Sequence, residues 1–347
     1  MMGLPSISVI IPTYNRASHL YKLLKSLCNV YYPKDRLEII VVDDGSTDDT
    51  PNVMNKLLKN YPLNLKYVRS NHNGVAKARN IGIQNAGKSI ILFLDSDVIC
   101  DPYLLYFHGL NYLHHETIAV AGKIEYEGKS NFVSKCWEAM PWIRIQKMDK
   151  TFYKKHRLWA PSGNLSFRKA YLQNMNIMFD ESLVFGEDID FCLRVTAKGF
   201  KIISEPQAIV YHTRERIRSL KYCTKNVFHR GKNEVLLLLK YPRRRRFKIY
   251  LLITFAFLIL FSAISSLFNF DLCKIISTFL FFLNLDFFIQ LRRYIHDEYY
   301  LSLFKPYELI LVWLISFIWR CSYEMGKIIE IIKLKKITLL FTEFIYI

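Results

Sequence analysis

The seven cysteines of this 347-residue chain form no CxxC pair. Scattered and odd in number (Cys28, Cys100, Cys136, Cys192, Cys223, Cys273, Cys321), they offer neither a disulfide framework nor a zinc-ligand spacing. Reduced thiols in a cytosolic setting fit better. The start, MMGLPSISVIIP, lacks the basic n-region of a secretion signal and runs straight into a strand pattern. No internal repeat or low-complexity linker is evident. Acids are the scarcer charge: 30 Asp and Glu stand against 48 Lys and Arg, a net +18. Such an excess points to a polyanionic partner: nucleic acid, an acidic membrane or a phosphate-bearing substrate. The excess clusters between Arg214 and Lys248, directly ahead of an apolar run, which favours a membrane and argues against nucleic acid.

What is present divides the chain in two. The first half alternates apolar strand patterns (6–12, 37–44, 65–70, 88–95) with helical spacing, as in Leu20, Leu23, Leu24 and Leu27. Asn15 is placed to cap that first helix. Buried strands alternating with helices predict an α/β domain with a mostly parallel central sheet covered on both faces, and ligands of such sheets gather at the strands' carboxyl ends. GEDIDFCLRVTAKG (186–199) reads as a helix stopped by Gly199, and FKIISEPQAIVYH (200–212) as a strand pair.

Then the character changes. IYLLITFAFLILFSAISSLF (249–268) is twenty residues without a charge, about 30 Å of helix. With 275–291 it predicts a transmembrane hairpin. Arg243–Arg246 before it and Arg292–Arg293 after it place both ends, and the N-terminal domain, on the cytoplasmic face. LILVWLISFIW (309–319) is too short for a bilayer and predicts an interfacial helix or one docked beside the hairpin. The expected organisation is therefore a domain at 1–230, a basic juxtamembrane segment at 231–248, the hairpin at 249–291, and an interfacial or third membrane helix with a basic tail at 292–347.

The acids at the strand ends carry the chemistry. Asp95 and Asp97 close a strand near the sheet centre. Asp101-Pro102 already supplies the next helix with a cap and a first-turn proline, and an acid-x-acid pair suits a hard divalent cation. Asp43 and Asp44 end the second strand, either as turn aspartates or as acceptors for a nucleoside. Glu187 and Asp188 open a helix, where the dipole favours acids; alternatively one is a general base. His212 is either structural or a third metal ligand. Arg79 lies either on a solvated helix face or against phosphate or base.

SVIIPTYNR (8–16), VVDDGSTDDT (41–50), NHNGVAKARNIGI (71–83), LFLDSDV (92–98), SGNLSFRK (162–169) and GEDIDFCLR (186–194), in this order, resemble the family 2 glycosyltransferases of GT-A fold. The resemblance covers roughly residues 6–230. It implies an inverting transfer from a nucleotide-diphosphate sugar. Pro12, Thr13 and Tyr14 would border the nucleotide, with Asp44 of the Asp43–Asp44 pair on the nucleoside and Arg79 near base or phosphates. Asp95 would contact ribose or metal-bound water. Asp97 would ligate Mg²⁺ or Mn²⁺, with His212 completing the site. Asp188 would be the base, helped by Glu187. Two neighbouring carboxylates compete to ionise, so a raised pKa is expected for Asp188. The chain lacks the QxxRW motif of processive synthases, which implies one sugar per encounter. Ser96 stands where some relatives carry a ribose-binding acid; UDP is the expected donor nucleotide. The basic run Arg214, Arg216, Arg218, Lys221, Lys225 beside the hairpin suggests a lipid-linked or other glycan acceptor. Two alternatives differ in class. A lipid phosphate acting as nucleophile would need no strong base, and an inactive membrane-surface scaffold would bind no donor.

Overall fold

A computed structural model describes residues 3–140, 156–247, 304, 308–336, 339 and 342–344. The expected hairpin at 249–291 lies outside them. Ile7–Thr13 (β1), Leu37–Asp43 (β2), Asn64–Arg69 (β3) and Ile90–Leu94 (β4) pair in parallel as β3-β2-β1-β4. The helices between them are Ala17–Leu27 (α1), Thr50–Asn60 (α2) and Val75–Asn85 (α3). Both faces of the sheet are covered, as the unbroken apolar runs require. On one face Ile7, Val9 and Ile11 share a core with Leu20, Leu23, Leu24 and Leu27 of α1. On the other lies α3, whose small residues let it approach: a Cβ on Gly82 would stand 2.2 Å from Ile10.

Beyond β4 the chain adds Val98–Cys100 (β5), Leu104–Asn111 (α4), Ala119–Glu127 (β6), Phe132–Glu138 (α5), His156–Arg157 (β7), Asn164–Arg168 (β8), Lys169–Asn174 (α6), Glu187–Ala197 (α7) and Ile202–Thr213 (β9). The sheet order is β3-β2-β1-β4-β8-β6-β9-β5, with β7 beside β9. The sheet is thus mixed, because β8 enters antiparallel to both β4 and β6. The strand pair expected at 200–212 is one strand, β9, interrupted by a bulge. Glu205 pairs with Gly122 and Ile209 with Lys123, leaving residues 206–208 extra. Phe93, Phe167, Phe179 and Phe191 pack edge to face and stacked, with Phe179 and Phe191 4.1 Å apart, and fix α7 beneath β4 and β8. Gly199 ends α7's turn at φ +88°, the left-handed stop its sequence predicts.

The chain divides into two compact units, Met1–Lys129 with Pro141–Glu215 and Ser130–Met140 with Arg216–Tyr346. In the second unit, Leu220–Lys240 (α8) is continuous across residue 230, where a boundary is expected from sequence. It crosses Leu309–Lys333 (α9) at two glycines: a Cβ on Gly231 would meet Tyr323 O at 1.9 Å, and one on Gly326 would meet Phe228 O at 2.1 Å. Lys327 and Glu234, both 1% exposed, face each other across this seam at 3.9 Å. Lys232 and Glu330 lie 3.6 Å apart. Trp137 of α5 meets Trp319 of α9 edge to face. Among the described residues α9 is the one helix long and apolar enough, by length and composition, to cross a membrane. Arg245–Phe247 (β10) pairs with Thr342–Phe344 (β11).

Candidate active site

At the carboxyl ends of β1 and β2 two loops are tied together. Asn15, in the left-handed region at φ 51°, does not cap α1. Its side chain accepts from Thr47 N (2.7 Å) and Asp48 N (3.2 Å) instead. Asp48 does the capping for both helices, accepting from Ala17 N at 3.1 Å and Thr50 N at 3.0 Å. Slight burial raises its pKa, but these hydrogen bonds outweigh it and the carboxyl is held below its usual range. Asp43 holds the turn, accepting from Ser46 N (2.8 Å) and Tyr67 O–H (2.5 Å). Asp44 accepts from Ser70 Oγ, Asn73 N and Gly74 N, each at 2.8 Å, which folds the NHNG segment over the end of β2. Tyr14, following Pro12 and Thr13, stacks on His72 of that segment with ring centroids 4.1 Å apart. Thr13 Oγ1 and Arg79 Nε are buried here with no hydrogen-bond partner among the described residues.

One strand further, Asp95, Asp97 and His212 converge, each offering a ligand atom within 4.8 Å of the others. Opposite ligands of an octahedral Mg²⁺ lie about 4.2 Å apart, so small side-chain adjustments let this oxygen, oxygen and nitrogen set hold one divalent ion. Asp97 is buried; its Oδ1 is 3.4 Å from His212 Nε2 and its Oδ2 is 2.6 Å from Arg16 Nη1.

The SGNLSF segment explains why the three meet. A Cβ on Gly163 would stand 2.6 Å from Asp95 Oδ2, so glycine is what leaves the carboxylate its place. Asn164 Nδ2 donates to Lys123 O and to Ala208 O, both at 2.9 Å, clamping the bulge that sets the register of β9 and hence of His212. That fixes Asn164 Oδ1 as the acceptor from His108 Nε2–H (2.8 Å). His108 Nδ1 in turn accepts from Ser166 Oγ (2.8 Å). Burial pushes the His108 pKa down to about 4, keeping it neutral in this role.

The third part is the start of α7, where Gly186 turns at φ 75°. Asp190 pairs with Arg194 at 2.8 Å, an ordinary i,i+4 pair. Glu187 is buried and reaches Arg79 Nη1 at 2.8 Å, while Arg79 Nη2 lies 3.4 Å from Asp95 Oδ1. Arg79 is therefore no solvated helix residue: it is buried over the Phe179 ring and links the acidic strand end to α7. Asp188, half-buried, stands beside Glu187. Of this pair, Glu187 is enclosed and its pKa is raised. Burial, then the Asp188 charge, push it up to about 7 against the pull of Arg79.

The site residues expected from sequence thus fall into three neighbouring groups at one edge of the first unit. Arg16, Gly163 and Asn164 are additions. Arg16 ends the PTYNR stretch and the other two lie in SGNLSF, but only the fold shows what they touch. Of the basic run, Arg214 Nη1 donates to Gly128 O at 2.9 Å, while Lys221 and Lys225 are exposed.

Residues 8–175 match Glycosyl transferase family 2. The chain is 26% identical over 255 residues to the probable glycosyltransferase YdaM of Bacillus subtilis, which covers 68% of this chain and 57% of that protein. The chain thus spans little more than half of that relative's length. It is 25% identical over 265 residues to a dolichyl N-acetyl-alpha-D-glucosaminyl phosphate 3-beta-D-2,3-diacetamido-2,3-dideoxy-beta-D-glucuronosyltransferase of Methanococcus voltae, covering 74% and 80% of the two chains. Among solved structures, the mannosyltransferase PcManGT from Pyrobaculum calidifontis, in complex with GDP-Man and Mn²⁺, superposes with TM-score 0.52 at 19% identity, covering 68% of this chain and 64% of that one. That last likeness concerns the fold.

Proposed function

From the family 2 glycosyltransferase domain that this chain carries at residues 8–175, we propose an inverting, single-addition transferase. It moves a sugar from a nucleoside-diphosphate donor, UDP-linked by first preference, to a hydroxyl of a lipid-linked or other glycan. The observation that carries this reading is the convergence of Asp95, Asp97 and His212 at the strand ends, with Arg79 bridging Asp95 to Glu187, the chain neighbour of Asp188. Pro12, Thr13, Tyr14, Asp43 and Asp44 border the nucleoside, Asp43 by holding the turn. Asp97, Asp95 and His212 would hold Mg²⁺ or Mn²⁺, which would offset the charge of a departing diphosphate. Arg79 places its guanidinium between donor and α7 and keeps Glu187 oriented. Asp188 takes the proton of the attacking hydroxyl. Glu187, beside it, positions the acceptor.

The acceptor class rests on two supports. One is the exposed basic Lys221 and Lys225 on α8, suited to lipid phosphate or anionic headgroups. The other is the M. voltae relative, whose name specifies a dolichyl-phosphate-linked sugar. The apolar α9 fits an association with membrane, and the cytoplasmic face is the side that nucleotide donors and the basic flanks favour.

The test is transfer of radiolabelled UDP-, GDP- and dTDP-sugars to native lipid extract by the full chain. The label is expected in the organic phase. EDTA should abolish it, and Asp97→Asn or Asp188→Asn should lower it by about 100-fold or more. Full transfer by Asp188→Asn would sink the base assignment; full transfer in EDTA would sink the metal.

A further inference from the structure

A cation at the N-terminus of a helix faces the positive end of the helix dipole. Arg16 occupies that position. It is the N-cap residue of α1, but its own side chain makes no capping hydrogen bond; Asp48 caps the helix from outside, through Ala17 N. The guanidinium itself is held by Asp97, whose Oδ2 lies 2.6 Å from Arg16 Nη1. The contact is largely out of water, with side-chain exposures of 22% for Arg16 and 5% for Asp97. The same carboxylate belongs to the Asp95, Asp97 and His212 cluster. A buried aspartate needs a cation beside it, and here the chain supplies one of its own.

We infer that Arg16 is the resident counter-cation of Asp97. It holds the carboxylate in place, would yield it to the divalent ion, and would then turn to the donor's diphosphate. The inference rests on the metal reading of the cluster proposed above. The exchange conserves local charge. Asp97 trades a guanidinium for a metal ion, and the freed guanidinium meets the phosphate oxygens that arrive with that ion. Arginine suits both partners, because its planar fork matches carboxylate and phosphate alike. Arg16 is thus a positioning residue before loading and a donor-binding residue after it.

The test is Mn²⁺ titration of the free full-length protein, read by electron paramagnetic resonance, followed by UDP titration at saturating Mn²⁺ by calorimetry. Removing a charge-assisted competitor should tighten Mn²⁺ binding, so Arg16→Gln is expected to bind the ion about tenfold more tightly than the parent. It should bind UDP about tenfold more weakly. Arg16→Lys keeps the charge but not the fork. It should shift both constants in the same directions by a few-fold, and it carries the test if the glutamine variant does not fold. Unchanged or weaker Mn²⁺ affinity in these variants overturns the inference. Asp97→Asn separates the two levels. If it loses Mn²⁺ binding while the Arg16 variants match the parent, only the role of Arg16 fails. If it binds Mn²⁺ as the parent does, the ion is not at this cluster and both fail.

Discussion

Burial and the neighbouring Asp188 charge raise the pKa of Glu187, so its carboxyl keeps a proton to higher pH in the folded protein than in an unfolded chain. Its pKa is about 7 in place against an ordinary 4.5. The folded state therefore binds more protons between these values, and stability falls as pH rises through that window. The contribution is fully present below about 4.5, and its loss by pH 8 is on the order of 3 kcal/mol. Urea unfolding at pH 5, 6.5 and 8 should show the parent losing stability upward, and Glu187→Gln losing distinctly less; equal slopes would remove Glu187 as the source. Sequence alone places Glu187 and Asp188 at a helix start. It does not say that Glu187 is enclosed, because that depends on the packing of the helix start and on where Arg79 points. Arg16 is hidden for the same reason. Its neighbours in sequence advertise a helix start, and its partner is a strand end later in the chain.

The crossing of α8 and α9 shows the same limit for whole elements. From sequence, the apolar run at 309–319 is followed by a basic tail that includes Lys327. In the structure the helix continues to Lys333, and Lys327 and Glu330 turn inward to Glu234 and Lys232. Outward stand Ile310, Leu314, Ile318, Met325, Ile329 and Ile332. Single-residue polarity thus misleads where charges pair across a seam. Lys327→Met takes the facing cation from Glu234 and is expected to cost about 3–5 kcal/mol; Lys327→Met with Glu234→Met should recover most of that. Thermal unfolding in detergent measures both, and a double variant no better than the single one would show that the pair is not coupled. The parallel half of the sheet, by contrast, is legible, since each βα step is local. The antiparallel entry of β8 is not, because its position is set by strands from distant parts of the chain.

For the whole molecule the net charge of +18 sets long-range behaviour. Exposed basic groups act over about 8–10 Å at ordinary ionic strength and much less in strong salt. The full chain should therefore co-sediment with vesicles rich in anionic lipid more than with neutral ones. The difference should shrink several-fold when salt is raised to about 1 M. Equal binding to both vesicle types at low salt would show that apolar contact alone is responsible. The acidic site and the basic flank were both visible in the sequence as composition; the link between them is a matter of register. Three residues, 206–208, stand extra in β9, held by the Asn164 amide, and they bring His212 opposite Val98 and Tyr126. One residue fewer would slide Thr213 into that place. The stretch reads like a turn, where divergence in length is ordinarily harmless. Its letters could change without moving the histidine; its length could not.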